Sequence, residues 1–321
     1  MTKPVVFISR PVPEQVQQYI SEHCECIIGQ DGMSRESIRE AMAEAEGLLT
    51  SGMSINAELL DASPKLRIVS NISVGYNNMD LDEMKRRGVM GTNTGGALDD
   101  TVADLILALM LAVSRRVTEL DRLVRRGAWV RGMNEELFGM DVHHRTVGII
   151  GLGRIGEAVA RRAHHGFSMK VLYHKRSRSE EAESRYDAEF VSLNELLSRS
   201  DFVVVMTPLT EHTRKLIGKE QLQLMKSSSV LINASRGAVV DEQALVEALA
   251  AGTIAGAGLD VFEKEPIAAD HPLLSMEQVV VLPHIGSATQ STRFDMAMLA
   301  ARNLVAGVKG ETPPNLLPEL A

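Results

Sequence analysis

The chain has 321 residues, 45% of them apolar, which is enough for two globular domains. Its formal charge of -8 comes with no basic stripe, and this argues against nucleic acid as a partner. The start, Met1 to Val12, lacks the apolar core of a signal peptide, and no later run is long enough to span a bilayer, so no membrane is expected and a reducing cytoplasm is the expected setting.

The first part alternates short apolar runs with amphipathic stretches. VVFIS, ECIIG, GLLTS, RIVSNIS and VMGTN read as strands, and segments such as Ser34 to Ala45 read as helices. They predict a small α/β unit of their own. The only two cysteines, Cys24 and Cys26, lie in an apolar run and would face the same side of a strand as buried thiols. Ligands that would complete a metal site around them are not found, and no metal is expected. ISVGYNNMD (Ile72 to Asp80) leaves a strand and enters a turn containing Gly75. Exposed backbone N–H groups at such a turn could hold an anion, although the segment alone reads more simply as a strand-to-helix turn.

From Asp99 to Arg126 the pattern becomes one long helix, capped by Asp99 or Asp100 and given a broad apolar face by VADLILALMLAV. Gly127 to His144 has no clear periodicity and contains the only tryptophan, Trp129. A loop that irregular often packs against a second subunit. The side chains of the adjacent pairs His143–His144 and His164–His165 are expected to diverge, as structural or surface residues rather than metal ligands.

TVGIIGLGRIGEAVARRA (Thr146 to Ala163) is a strand, a glycine turn and a helix. Gly151, Gly153 and Gly156 form G-x-G-x-x-G in the context that a dinucleotide requires. Gly151 permits the tight turn, Gly153 lets a pyrophosphate approach the backbone, and Gly156 lets helix and strand pack closely. The helix N-terminus then faces the phosphates with its free N–H groups and positive dipole end. The next strand, KVLYH, runs into Lys175, Arg176, Ser177 and Arg178, with no acid until Glu180. An NAD enzyme places an acid there to receive the ribose 2′-OH, whereas cations and a hydroxyl suit a 2′-phosphate. NADP(H) is therefore expected ahead of NAD(H). The plainer alternative is a solvated loop before the next helix.

Four further strands follow, in FVVVMTP, SVLINAS, GAGLDVF and VVVLPHI, with helices around Leu193–Arg199 and Asp241–Ala251 between them. The last three end in INASRG, GLDVFEKEP and PHIGSAT, so that Arg236, Glu265 and His284 stand beyond the carboxyl ends of neighbouring parallel strands, where an open α/β sheet binds ligands. A guanidinium can grip a carboxylate, an imidazole can exchange a proton near neutral pH, and a carboxylate beside an imidazole orients it and favours its charged form. Together they describe proton transfer to a small acidic substrate. The last helix, Gln290 to Val308, returns to the first domain. The expected architecture is two Rossmann-like or flavodoxin-like α/β domains with parallel sheets and a cleft between them: a substrate domain of residues 1–98 and 289–321, and a dinucleotide-binding domain of residues 99–288.

In order and spacing, GLGRIG, INASRG, GLDVFEKEP and PHIGSAT resemble the signatures of the D-isomer-specific 2-hydroxyacid dehydrogenases over nearly the whole chain. SVGYNNMD, DVHH and the HPLLSM…VVVLPHIGSAT run are most similar to the glyoxylate/hydroxypyruvate reductases and the related 2-ketogluconate reductases. The chain ends at Ala321 without the regulatory domain of many phosphoglycerate dehydrogenases, and Glu265 stands where formate dehydrogenases carry glutamine. Both departures suit a reductase of small 2-oxo acids.

The resemblance implies that His284 is the general acid and Glu265 its partner, that Arg236 binds the substrate carboxylate and polarises the carbonyl, and that Val74 and Gly75 add backbone donors to that carboxylate. It places cofactor contacts at Gly151, Gly153, Arg154, Ile155 and Gly156, at Lys175, Arg176, Ser177 and Arg178, at Thr207, Pro208, Ala234, Ser235 and Arg236, at Asp260 near the nicotinamide, and at Gly286. The activity implied is NADPH-dependent reduction of glyoxylate and hydroxypyruvate to glycolate and D-glycerate, with 2-ketogluconate reduction as the alternative. The family also contains dinucleotide-binding corepressors, and the lack of a low-complexity tail counts against that role here. Family members pair through the cofactor domain, so a homodimer through the helix from Asp99 and the Gly127–His144 loop is expected.

Overall fold

The computed structural model describes residues 2–30, 32–130, 132 and 135–321. The chain divides into two compact units, Met1–Leu98 with Ser287–Ala321, and Asp99–Gly286.

In the first unit β1 (Val5–Ile8), β2 (Glu25–Ile28), β3 (Gly47–Thr50), β4 (Ile68–Asn71) and β5 (Met90–Thr92) form one parallel sheet in the order β2-β1-β3-β4-β5. Strands covered on both faces read as continuous apolar runs, and Val6, Phe7, Leu48, Leu49, Ile68 and Val69 are all buried. The connections are α1 (Glu14–His23), α2 (Arg35–Glu44), α3 (Ala57–Asp61) and α4 (Leu81–Arg87). Helices α2, α3 and α4 open on Ser34, Asn56 and Asp80, whose side chains accept the N–H of Ser37, Leu59 and Glu83. Each cap satisfies a donor that the helix cannot pair internally. Cys24 does not share a strand with Cys26. Its N–H closes α1 on Ile20 O, and β2 starts one residue later, at Glu25. Burial, and then the neighbouring Cys26, push the Cys24 thiol up to about 11.

In the second unit seven parallel strands run in the order β12-β11-β10-β9-β6-β7-β8. They are β6 (Thr146–Ile150), β7 (Lys170–His174), β8 (Ala188–Phe190), β9 (Phe202–Val205), β10 (Val230–Asn233), β11 (Gly256–Leu259) and β12 (Val279–Val281). The helices are α5 (Asp99–Ser114), α6 (Val117–Arg125), α7 (Arg154–Phe167), α8 (Glu180–Tyr186), α9 (Leu193–Arg199), α10 (Lys219–Leu224) and α11 (Glu242–Ala250). Strand β6 has β7 on one side and β9 on the other, so the winding reverses at β6, which is where such a sheet opens a ligand crevice. The last helix, α12 (Gln290–Val308), lies in the first unit, with Ala297, Ala300, Ala301 and Leu304 packed against Val6, Leu49 and Ile68.

Where one long helix is predicted from Asp99, the chain makes two. Ser114 O accepts the N–H of Met140 at 2.8 Å, and Gly139 lies so close that a Cβ on it would sit 2.3 Å from the same oxygen. The returning loop thus takes a carbonyl at the end of α5. Arg116 then adopts a left-handed φ of 53° and pairs its guanidinium with Glu119 and with Glu136 O. Asp100 is inside the first turn of α5, not a cap, and pairs with Arg161 and Arg162 of α7. Gly127 to His144 contains a short 3-10 turn, Glu135–Leu137; Arg131, Met133 and Asn134 lie outside the described residues. The histidine pairs do not diverge. A φ of 60° at His144 brings its Nδ1 to 2.7 Å from His143 Nδ1, and His164 and His165 meet edge to face with centroids 4.7 Å apart. No helix among the described residues is long and apolar enough to cross a membrane.

Candidate active site

Three strand ends of the second unit build the site. At the end of β10, buried Asn233 accepts the N–H and hydroxyl of Ser235 at 3.1 and 2.9 Å and donates to Arg236 O at 3.1 Å. Ser235 O in turn accepts Arg236 Nη1 at 2.7 Å. The turn then passes Gly237, where a Cβ would lie 1.8 Å from the carbonyl carbon of Phe262. Only glycine allows that approach, and it sets Arg236 beside the loop that follows β11. Burial draws the Arg236 pKa below its usual value, while the charge on Glu265 pushes it back up. A guanidinium titrates so high that Arg236 remains a cation.

Beyond β11, Asp260 is 1% exposed and its two oxygens accept the N–H of Ile285 and of Gly286, each at 2.8 Å. Burial raises its pKa, and the two N–H donors oppose the rise. Glu265 uses both oxygens: Oε1 accepts the N–H of Phe262 at 3.0 Å, and Oε2 lies 2.7 Å from His284 Nδ1. His284, beyond β12, has a φ of 54°, in the left-handed region where a side chain is strained. The two Asp260 bonds fix the residues immediately after it. With Glu265 ionised, Nδ1 carries the proton of that short contact, so Nε2 is the ring nitrogen left to exchange one. Arg236, Glu265 and His284 thus combine a fixed cation with an oriented imidazole.

The glycine turn fits a dinucleotide. Gly151 has a φ of 97°, and a Cβ there would lie 2.8 Å from Met206 C and O; a Cβ on Gly156 would lie 2.6 Å from Gly151 O. At Gly153 a Cβ would meet nothing within 4 Å, so packing within the protein does not demand glycine there. The demand fits a phosphate approaching the backbone. Gly153 also precedes α7 without a side-chain cap, leaving the first-turn N–H groups for an anion. Next to Gly151, the buried Thr207 Oγ1 has no partner among the described residues. Pro208 is exposed, Ile155 and Ala234 are half-buried, and Ser235 is buried. Arg154 is exposed, with Nε 3.7 Å from Asp99 Oδ2, and a Cβ on Gly286 would crowd Asp260 Oδ2 at 3.2 Å.

The basic run after β7 divides. Lys175 is half-buried, and Arg176 and Ser177 are exposed on the loop. Arg178 is not a free cation: Glu183 holds it at 3.0 and 2.6 Å, and the same carboxylate accepts the Tyr173 hydroxyl at 2.6 Å. A cofactor role for Arg178 therefore competes with this ion pair. Its paired charge already has a partner on the first turn of α8. Val74 and Gly75 lie in the first unit, after β4. Asn233 and Gly237 are not among the site residues expected from the sequence; an asparagine ending a parallel strand and a glycine directly after the arginine are the signals that mark them.

Fold and site together define an oxidoreductase that binds a nicotinamide dinucleotide. Residues 107–286 match the model of the D-isomer specific 2-hydroxyacid dehydrogenase, NAD binding domain. A glyoxylate/hydroxypyruvate reductase B of Erwinia tasmaniensis is 48% identical over 316 residues, 98% of each chain. Among solved structures, an NADPH-dependent glyoxylate/hydroxypyruvate reductase of Sinorhizobium meliloti, in complex with NADP and malonate, superposes with a TM-score of 0.88 at 34% identity, covering 99% of this chain and 98% of that one. A glyoxylate reductase of Paecilomyes thermophila gives a TM-score of 0.91 at 30% identity over 100% of both chains. The chain belongs to the D-isomer-specific 2-hydroxyacid dehydrogenases.

Proposed function

We propose that the enzyme reduces small 2-oxo acids, glyoxylate and hydroxypyruvate first, to glycolate and D-glycerate, with NADPH preferred over NADH. The observation that carries the reading is His284 Nδ1 at 2.7 Å from Glu265 Oε2, beside the half-buried cation Arg236. A bound nicotinamide supplies the hydride. Arg236 grips the substrate carboxylate and stabilises the charge that develops on the carbonyl oxygen, to which His284 Nε2 gives its proton. Val74 and Gly75 add backbone donors to the carboxylate. The names of the Erwinia and Sinorhizobium relatives support the substrate class, and the NADP and malonate of the latter support a phosphorylated cofactor and a small carboxylate ligand. Arg176 and Ser177 are the candidates for the 2′-phosphate. A homodimer through the α5–α6 region completes the reading.

The test is kcat/KM for glyoxylate, hydroxypyruvate, 2-ketogluconate and branched 2-oxo acids with NADPH and with NADH. Glyoxylate or hydroxypyruvate with NADPH should lead, and a clear preference for branched or aromatic acids would overturn the assignment. His284→Ala should lower kcat by roughly 10²–10⁴, the usual contribution of a positioned acid, with little change in cofactor affinity.

A further inference from the structure

The Val74–Gly75 turn is held by its carbonyls. Ser73 O accepts the N–H of Thr94 at 3.0 Å, Val74 O accepts Asn93 Nδ2 at 3.1 Å, and Gly75 O accepts Asn71 Nδ2 at 3.0 Å. Three consecutive carbonyls are thus drawn to partners inside the first unit. In a trans peptide the N–H lies opposite the C=O of the same plane, and these peptides are trans. The Gly75 N–H, in the plane of the Val74 carbonyl, is therefore turned away from Asn93, and the Val74 N–H, in the plane of the Ser73 carbonyl, is turned away from Thr94. Among the described residues, neither has an acceptor.

The asparagines are themselves fixed. Asn71 ends β4 fully buried; its Nδ2 also reaches Asn78 Oδ1 at 3.3 Å, and Asn78 Nδ2 donates to Met53 O at 2.8 Å. Asn93 follows β5, is 9% exposed, and accepts the N–H of Gly95 through Oδ1 at 3.1 Å. Turning that amide over would set its NH₂ against the Gly95 N–H and its oxygen against Val74 O, so the donor end is determined.

We propose that Asn93 is a positioning residue for substrate: by holding the Val74 carbonyl it aims the Gly75 N–H of the same peptide plane at the carboxylate of the 2-oxo acid. The proposal rests on the reading that this turn receives that carboxylate. An unanchored turn would have to order its donors during binding, which weakens affinity for the acid and leaves the cofactor site alone.

The probe is oxamate, an unreactive analogue of a 2-oxo acid. In the wild-type enzyme with NADPH, oxamate should shift the amide resonances of Val74 and Gly75; if it does not, the turn is not the carboxylate site and the underlying reading fails. If it does, Asn93→Ala should raise the oxamate inhibition constant and the KM for glyoxylate about tenfold, the scale of one hydrogen bond to a charged group. The KM for NADPH should stay within twofold of wild type, on the order of measurement error for an undisturbed site. A merely structural role would lower Tm, or move all the constants together. A folded variant that binds oxamate normally overturns the Asn93 proposal while leaving the turn in place. Should the alanine variant not fold, hydrogen exchange of the Asn93 side-chain amide in the wild-type enzyme decides. Protection that rises with oxamate supports the proposal, and exchange at the rate of an exposed amide overturns it.

Discussion

Glu265 has no oxygen to spare. One accepts the N–H of Phe262 at 3.0 Å and the other meets His284 Nδ1 at 2.7 Å. Glu265→Gln converts one acceptor into a donor, so either the loop N–H loses its acceptor or the imidazole can no longer keep a proton on Nδ1 in that contact. We expect kcat to fall by roughly 10–10³, less than for removal of the acid itself, with the KM for NADPH unchanged; a Gln enzyme of normal kcat would remove Glu265 from the mechanism. Asp260 gives a separate signature in stability. Burial raises its folded pKa above the unfolded value, so its protonated form is the one that folding favours. That contribution is complete below the unfolded value, about 3.9, and is lost as pH rises through the higher folded value. The stability of wild type relative to Asp260→Asn should therefore increase on going from pH 7 toward pH 4. The asparagine also disturbs one of the two N–H bonds at Ile285 and Gly286, but that cost is the same at every pH. Chemical denaturation of both proteins across the range measures the difference, and a flat or opposite trend would contradict a raised pKa.

The turn between β7 and α8 shows how an element edits its residues. Four consecutive positions, Lys175 to Arg178, look alike in a sequence, but the Glu183 carboxylate on α8 accepts from both Arg178 and Tyr173, and the Tyr173 hydroxyl accepts the N–H of Ser179 at 2.8 Å. Arg176→Ala should therefore raise the KM for NADPH about tenfold to a hundredfold, the loss of one charged hydrogen-bonding partner, and spare NADH. Arg178→Ala should do less to NADPH and more to thermal stability, because it strips a partner from Glu183. Equal losses in NADPH affinity from the two variants would return Arg178 to the cofactor. The strand-end chemistry was legible because each motif couples an apolar run to a polar ending, and α12 spans the predicted Gln290–Val308. The cause of the break at Arg116 was not legible: Met140, which takes the Ser114 carbonyl, is remote in sequence and carries no helix-stop signal. Strand β8 and helices α8 and α10 are too short to display a period. The asparagines and Gly237 act through backbone geometry, which residue type alone does not announce.

At the scale of the whole molecule, the break at Arg116 leaves an amphipathic helix without a core to cover. Helix α6 has no buried residue; Val117 and Val124 are 52% and 54% exposed. In the segment that follows, Trp129 is 65% exposed, Val130 79% and Phe138 58%. Scattered exposed apolar residues need no explanation, but several large ones gathered in one stretch of chain mark a contact surface. A second copy of the chain is the proposed occupant, pairing through the same surface as two-fold dimers do. Each such side chain removed from water would contribute about 1.5–3 kcal/mol. Sedimentation at micromolar concentration should give about twice the 35.0 kDa chain mass. Trp129→Glu combined with Val124→Asp should shift the protein toward 35.0 kDa, because each places a charge where an apolar side chain would be covered. The unfolding of the single chain should change little, since both positions are exposed in it. An active wild-type enzyme that stays monomeric at these concentrations, or a double variant that sediments as wild type, would show that this surface is not what joins two copies.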